Sequence, residues 1–266
     1  MSNMADVRIL FYSFGGFLLG LYLFYRGFHH FRRKRLIENI PRSKIRSIAM
    51  GLVEVLGTVA PFKKPLKSPL TRTTCVYYKY TIEEFRHAGK KSDWHKISVG
   101  FASVPFLLTD NTGTVLVDPR NAEIDIPQKY IHIASSATDF TEDIFKLLKK
   151  EKISYKGFLG FNKKLRFQEW YIYSPPMKRV KKDYGDKLYV LGSAGDNPYV
   201  KEASSHMGHE DVMISKGRGD KPFFISNKSE KKILSQLGFK TYGYLIGGPT
   251  LSLICLFILL GFFNLI

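Results

Sequence analysis

The residues of this chain that most resemble a reactive centre lie in "PFLLTDNTGTVLVDP", residues 105–119. A strand that ends in Asp-x-Thr-Gly-Thr is how ion-pumping ATPases present their phosphorylated aspartate, here Asp110. Those pumps have lysine where this chain has Asn111, and they also need a Gly-Asp-Gly-x-x-Asn-Asp magnesium site that the sequence lacks. We therefore predict a β-hairpin, with Asn111 and Thr112 in the turn and Gly113 in a left-handed conformation.

A second group of residues that could bind a ligand lies in "SHMGHEDV", and comprises His206, His209, Glu210 and Asp211. A His-x-x-His spacing is compatible with zinc. No glutamate directly follows the first histidine, as a metalloprotease would require. The neighbouring serines and glycine favour a surface loop, and metal binding is kept as the alternative.

Nucleophilic and cofactor chemistry find little support in the sequence. The two cysteines, Cys75 and Cys255, are far apart, which excludes a disulfide framework and any zinc site that needs several thiolates. Cys75 opens an apolar strand, where we expect a buried, inert thiol. The sequence has neither Gly-x-Ser-x-Gly nor a glycine-rich phosphate loop, so we predict no cofactor.

Two charge-free apolar segments lie near the ends, at residues 9–25 and 245–266. A helix of the first segment's length reaches about 26 Å, close to the thickness of a bilayer's hydrocarbon core. We predict two transmembrane helices, within 1–26 and 242–266. Positive charge follows the first segment, whereas a cleaved signal peptide carries it in front, so we expect an uncleaved anchor.

Basic residues lie on the inner flank of each predicted span: Arg26, Arg32, Arg33, Lys34, Arg35, Lys231, Lys232 and Lys240. Basic flanks stay in the cytoplasm, so the block between the spans is predicted to be cytoplasmic, with both chain ends outside. The formal net charge of +18 then indicates contact with anionic phospholipids. Nucleic acid is the less favoured partner, because no recognised binding motif is present.

Residues 27–47 are basic and are predicted to form a juxtamembrane helix, and residues 48–241 read as a β-rich domain. Candidate strands recur about every ten residues, which favours a barrel or a sandwich over βαβ units. They are 49–61, 75–85, 94–103, 105–119, 129–135, 165–175, 186–195, and a last pair around Gly217-Arg218-Gly219. The fold class is therefore α+β and mostly β.

Two helices are predicted inside this domain. In "FTEDIFKLLKK", residues 140–150, Thr141 is a candidate N-cap, acidic residues fill the first turn and lysines the last. In "SEKKILSQL", residues 229–237, Asn227 and Glu230 form a capping signature and Gly238 is expected to end the helix.

Aromatic residues are frequent in the predicted strands, notably Tyr77, Tyr78, Trp94 and Trp170. Such side chains could line a binding groove. Since alternate residues of a strand point to opposite faces, about half of them are expected to lie in the core instead.

Several segments taken in order resemble the GIDE domain, also called the BAM (beside-a-membrane) domain. They are "SPLTRTTCVYYKYTIEEF", then Trp94, "PFLLTDNTGTVLVDPRNAEI", "FQEWYIYSPPMKRVKKDYGDKLYVLGSA" and "KPFFISNKSEKKIL". The domain occurs in a mitochondrial E3 ubiquitin ligase, between two membrane helices and before a zinc RING. The resemblance implies a membrane-bracketed domain that binds partners.

The RING needs about eight Cys and His ligands, which this sequence does not offer. The resemblance therefore implies a non-catalytic protein-binding module at the membrane surface. One alternative is a component of an E3 ligase-like system that acts with a separate catalytic chain, and another is a membrane-tethered nucleic-acid binder. The relative's domain faces the intermembrane space, whereas the charges here predict a cytoplasmic one.

Overall fold

The computed structural model describes most of the chain. The described residues are 2–38, 43–88, 91–156, 163–176, 185–199, 211–219, 221–227 and 230–262. They form two compact units. The helical unit comprises residues 1–41 and 229–266, and the β unit comprises residues 42–228.

Three α-helices and twelve strands make up the described elements, together with the short 3-10 helices Ile45–Ser47 and Ala137–Asp139. In chain order they are α1 (Ser2–Glu38), β1 (Gly51–Pro61), β2 (Leu66–Lys67), β3 (Thr74–Ala88), β4 (Lys91–Ser103), β5 (Phe106–Thr109), β6 (Thr114–Val117), β7 (Glu123–Asp125), β8 (Tyr130–Ala134), α2 (Glu142–Lys150), β9 (Leu165–Tyr173), β10 (Lys187–Asp196), β11 (Val212–Ser215), β12 (Phe224–Ser226) and α3 (Glu230–Phe262). The predominance of strands confirms the mostly β reading of the sequence.

The helical unit pairs α1 with α3, and both helices are longer than the sequence predicts. Helix α1 continues without a break from the predicted span to Glu38, and Ile45–Ser47 is a short 3-10 helix. The prediction that Gly238 ends a separate helix is wrong, because α3 is continuous from Glu230 to Phe262. A single glycine costs a helix only about 1 kcal/mol, which the surrounding helical residues offset.

Within the described residues, one helical segment is long and apolar enough to cross a membrane. It is Tyr242–Gly261, with a mean hydropathy of 2.0. The prediction of two spans is therefore supported directly for the C-terminal helix alone. The charge-free stretch of α1 is shorter and includes three tyrosines, which lower its hydropathy.

Five strands of the β unit, β1, β5, β6, β11 and β10, form a closed barrel. Strand β1 pairs with β10 and with β5, β5 pairs with β6, β6 pairs with β11, and β11 returns to β10. The pairings are antiparallel except for β6 with β11. Large apolar side chains fill the interior, among them Val55, Phe106, Leu108, Val190 and Ile214, each essentially inaccessible to solvent.

Strands β11 and β12 do not pair with each other, so the prediction that they form the last strand pair is wrong. Both pair with the same edge of β10, with Ser215 opposite Ser193 and Phe224 opposite Leu191. The chain therefore leaves that edge after β11 and rejoins it at β12. The intervening loop uses positive φ angles at Gly217 (69°) and Gly219 (80°), which glycine adopts at little cost.

A second sheet has the order β2-β3-β9-β8, with β4 also paired to β3. Helix α2 packs on one of its faces, where Ile144, Leu147 and Leu148 join buried residues such as Ile82 and Phe167 in one apolar core. The Thr141 side chain accepts a hydrogen bond from the Ile144 amide, which confirms the predicted N-cap. The helix bounds agree with the sequence prediction to within two residues.

The predicted hairpin at residues 105–119 is confirmed. Strands β5 and β6 pair antiparallel, and Thr109 lies opposite Thr114. The predicted left-handed glycine is not observed, because the described glycines with positive φ are Gly51, Gly217 and Gly219. The side chain of Asp110 organises this turn instead.

Candidate functional site

The Asp110 carboxylate is fully occupied by hydrogen bonds. Its Oδ1 accepts from the Thr112 amide (2.6 Å), the Thr112 hydroxyl (2.7 Å) and the Gly113 amide (2.9 Å). Its Oδ2 accepts from the Ile45 amide at 3.0 Å. Burial opposes ionisation, but these donors outweigh it and lower the pKa of Asp110. The residue therefore ties the hairpin to the 3-10 helix and is poorly placed to act as a nucleophile.

A cleft of about 480 Å³ lies beside Asp110. Its described lining includes Gly57 and Gly185, and the exposed Lys187 is the one lysine or arginine among the described lining residues. The described lining includes no histidine, cysteine or serine. The one carboxylate of the described lining is committed to the turn, so the described residues of this cleft include no free general base.

The four aromatic residues proposed for a groove are divided between the two faces of the second sheet. Strand alternation puts Tyr78 on the face covered by α2. There its ring stacks with that of Tyr80, with the ring centres 6.3 Å apart. Tyr77 points the other way and packs against the barrel core. Trp94 and Trp170 lie on the same side of the sheet but far apart along it, because Trp94 lies opposite Phe85 and Trp170 lies opposite Lys79. The structure therefore does not gather the four residues into one groove.

No described helix or strand packs over this side of the sheet, which we call the open face. It is defined by Lys79, Thr81, Val99, Phe101, Ile131 and Trp170, which the pairing registers of β4, β3, β9 and β8 place on the same side. In the centre, the Thr81 hydroxyl donates to Gln168 Oε1 at 2.9 Å. Apolar side chains at both edges are exposed, with Phe101 at 74% and Ile131 at 55%.

Both tryptophans of the open face lie beneath cations. Lys79 Nζ is 5.6 Å from the centre of the Trp170 ring, and the Arg166 guanidinium is 4.4 Å from that of Trp94. Arg166 also donates to Glu83 Oε2 at 2.6 Å. The surface thus combines exposed apolar groups with positive charge, as partner-binding surfaces do.

Two carboxylates, one buried and one partly exposed, accept hydrogen bonds on the opposite face of this sheet, and the sequence analysis assigned a role to neither. Glu169, with no solvent exposure, accepts from the Leu70 amide (2.9 Å) and the Thr71 hydroxyl (2.8 Å). Glu151 accepts from the Tyr80 hydroxyl and from Ser98, each at 2.7 Å, and these bonds lower the pKa of Glu151. For Glu169, the available signal was an acidic residue at a strand position whose neighbours two residues away are apolar, whereas Glu151 follows α2 and carried no such signal.

The structure agrees with the prediction of a buried, inert thiol in the β unit. Cys75 is buried, and burial raises the pKa of its thiol to about 12, which keeps it protonated and unreactive.

The histidine cluster falls almost wholly outside the described residues. His206, His209 and Glu210 are among those not described, and Asp211 accepts a backbone hydrogen bond from the Asn197 amide at 2.8 Å. Over the described part of the chain, no three His, Cys, Asp or Glu side chains are grouped so that they could hold a metal ion.

The predicted lipid-facing basic residues lie on the two paired helices. Arg26, Arg32 and Arg35 are exposed on α1. The side chains of the remaining five lie outside the described set, although their backbone is helical: Arg33, Lys34, Lys231, Lys232 and Lys240.

Close contacts between small residues determine how the helices pair. A methyl group added at Gly16 would lie 2.6 Å from Cys255 Sγ, one at Gly20 would lie 2.7 Å from the Gly248 carbonyl, and one at Gly27 would meet Tyr244. The helices are therefore antiparallel. This arrangement brings the basic stretch that ends α1 and the lysines that begin α3 to the same end of the pair.

Comparison with known families gives one match. Residues 77–173, just over a third of the chain, match the model of the GIDE family, which is described as E3 ubiquitin ligase. The matched segment runs from within β3 to the end of β9, so it includes α2, the open face and the Asp110 hairpin. No curated protein and no solved structure matches the chain.

Proposed function

We propose that the chain is a two-span membrane protein whose β unit is a non-catalytic protein-binding module on the cytoplasmic side. The observation that carries the binding role is the open face, an uncovered sheet surface with exposed apolar edges and cation-covered tryptophans. It lies within the segment that matches the GIDE family. The Asp110 cleft offers no competing chemistry.

The distribution of side chains in the helical unit supports two spans. Large apolar residues of α1 point outward, including Phe11 at 75% exposure, whereas Ser13, Gly20 and Gly27 are buried against α3. Small residues at the helix contact and bulky ones outside are typical of helices that pack in lipid. The Ser252 hydroxyl donates to the Phe17 carbonyl at 3.2 Å, a further contact of this kind.

The shared position of the basic stretches supports the orientation. Arginines at the end of α1 and lysines at the start of α3 lie at one end of an antiparallel pair, as two cytoplasmic flanks require. There they would also contact anionic lipid, each contributing about 1 kcal/mol. Reporter fusions at both chain ends should signal from outside the cytoplasm, and a cytoplasmic signal from either end would contradict the proposal.

The binding role is tested by photo-crosslinking in native membranes. A photoreactive amino acid replaces Ile133 on the open face or, as a matched control, the exposed Phe145 of α2. We expect protein adducts from position 133 and few from position 145. Recovery of lipid alone at both positions would remove the basis for a protein-binding module.

The description of the matching family favours a second candidate: a component of an E3 ubiquitin ligase-like system that acts with a separate catalytic chain. A protein with a zinc RING, crosslinked at position 133 and needed for ubiquitin transfer in the same membranes, would establish this role. Adducts without such a protein would leave the simple binding module.

A further inference from the structure

The outer edge of β4 is a strand edge without a partner in the described part of the chain. Strand β4 runs for 13 residues and pairs with β3 on its inner side only. A strand edge presents unpaired N–H and C=O groups that can hydrogen-bond an added strand. This edge is therefore competent for strand addition.

The sequence of β4 protects only half of this edge. Proteins commonly shield edges with charged side chains and with bulges. Here a lysine at position 96 and a register shift opposite Ile82 and Glu83 protect the first half. From Ile97 to Ser103 the sequence "ISVGFAS" has no charged residue.

The side chains beside this unprotected half have a definite chemistry. Val99 (46% exposed) and Phe101 (74% exposed) both point to the open face. The exposed Lys96 lies on the same face, and neither it nor Lys79 forms an ion pair with any described residue. An added strand would therefore meet two apolar groups next to two lysines that form no ion pair with a described residue.

Building on the proposed function, we propose that the β4 edge from Ile97 to Ser103 binds an extended, acidic and apolar segment of a partner protein as an additional strand. Its backbone pairs with the edge, alternate apolar side chains cover Val99 and Phe101, and a carboxylate pairs with Lys96. Charge favours such a partner over a second copy, because each chain carries +18.

The test uses a dye-labelled nine-residue peptide and the full chain in nanodiscs, followed by fluorescence anisotropy. The peptide is Thr-Glu-Thr-Val-Thr-Val-Thr-Glu-Thr. Because this sequence reads the same from either end, it presents the same side chains to β4 in the parallel and the antiparallel direction. We expect saturable binding. Lysine in place of both glutamates should abolish binding, because it removes the charge pairing. N-methylation of both valines and of the threonine between them should also abolish it, because successive residues donate toward opposite edges of a strand, so the edge that faces β4 loses backbone donors in either strand direction.

Matched variants locate the site. Phe101→Ser and Lys96→Glu should each weaken binding about tenfold, as loss of a central contact does. Ile131→Ser, which removes an exposed apolar group at the opposite edge of the open face, and Lys187→Glu on the barrel should leave affinity within about twofold. Equal weakening by Ile131→Ser, or undiminished binding of the N-methylated peptide, would overturn strand addition at β4.

Other occupants give distinct results. A dimer that Phe101→Ser dissociates would show that a second copy takes the edge, and would overturn the acidic partner. If the peptide does not bind but Ile133 still crosslinks to proteins, this inference fails and the proposed function stands. Absence of both signals would remove both.

Discussion

In the helical unit the buried side chains are small, whereas in the β unit they are large. Ser13 and Ser252 are buried where α1 meets α3, and phenylalanines of the same helices point outward. In the β unit, Phe106 and Phe167 are fully buried, and glycine and serine are common in the turns. The difference is what the proposed membrane placement requires, because bulky residues on the outside of the paired helices would then contact lipid, whereas those of the β unit are buried in its own core.

The largest expected effect is the loss of stability when a buried phenylalanine of the β unit is truncated, compared with an exposed one of the helical unit. Phe167→Ala should destabilise the β unit by about 3–5 kcal/mol, because it leaves a cavity in the core beneath α2. Phe14→Ala removes the same atoms from the exposed side of α1 and should change the same unfolding by less than about 0.5 kcal/mol.

Urea unfolding of the full chain in nanodiscs, followed by tryptophan fluorescence, measures both. The signal reports the β unit, since the chain's two tryptophans are Trp94 and Trp170. Equal losses from the two substitutions would mean that burial does not distinguish the units as described.

A second test sharpens the comparison in the helices. Gly20→Leu should weaken the α1–α3 contact by about 1–3 kcal/mol, because the new side chain has no space beside Gly248 and Ser252. The readout is disulfide formation between Gly16→Cys and the native Cys255, which Gly20→Leu should reduce. Gly15→Leu is the control, since a side chain there meets nothing within 4 Å; equal loss from both would contradict close small-residue packing.

A smaller loss of stability is expected from removing the N-cap of α2, the helix that packs on the second sheet. Thr141→Ala removes the N-cap acceptor of α2 and should cost about 1 kcal/mol in the urea experiment. Thr138→Ala alters an exposed threonine just before the helix and should have little effect. An unchanged midpoint for Thr141→Ala would show that tertiary packing alone positions α2.

The smallest effect depends on pH. The pKa of Asp110 is lowered on folding, so its contribution to stability is present above the unfolded pKa of about 3.9 and is lost as the pH falls through the folded value. Because the group is partly exposed, this contribution should stay below about 1 kcal/mol.

Asp110→Asn should keep the turn acceptor Oδ1 but lose the oxygen that receives the Ile45 amide. Its stability at pH 7 should therefore be lower, and the wild-type decline below pH 4 should be shallower in the variant. Parallel declines would show that Asp110 does not contribute to the acid sensitivity.

Local signals in the sequence were sufficient for some elements. The α2 helix follows from a cap and an apolar stripe within ten residues, and the β5–β6 hairpin follows from one turn motif. Both depend on neighbours in the chain, so no tertiary information was needed.

Elements decided by long-range pairing could not be predicted in the same way. The separation of β11 from β12 depends on β10, which the sequence cannot identify as their shared neighbour. The continuity of α3 through Gly238 depends on its whole length rather than on a local stop signal.

The open face was only partly predictable from the sequence, because it depends on both local and long-range features. Alternation predicted that the aromatic residues would divide between two faces, but which face α2 covers is a tertiary fact. Trp94 and Trp170 were therefore identified as candidates, whereas Val99, Phe101 and the β4 edge were not. Their importance comes from exposure and a missing neighbour, neither of which a sequence displays.

The departure of the chain between β11 and β12 has a practical consequence. Each strand is hydrogen-bonded to β10 independently, so a protease that cuts after Lys216 or Arg218 would leave two fragments that the pairing of β12 with β10 and β7 still joins. The same position would accept an inserted tag or a whole inserted domain without shifting the registers on either side. The molecule thus contains a natural point at which it can be nicked, labelled or split while the remainder keeps its shape.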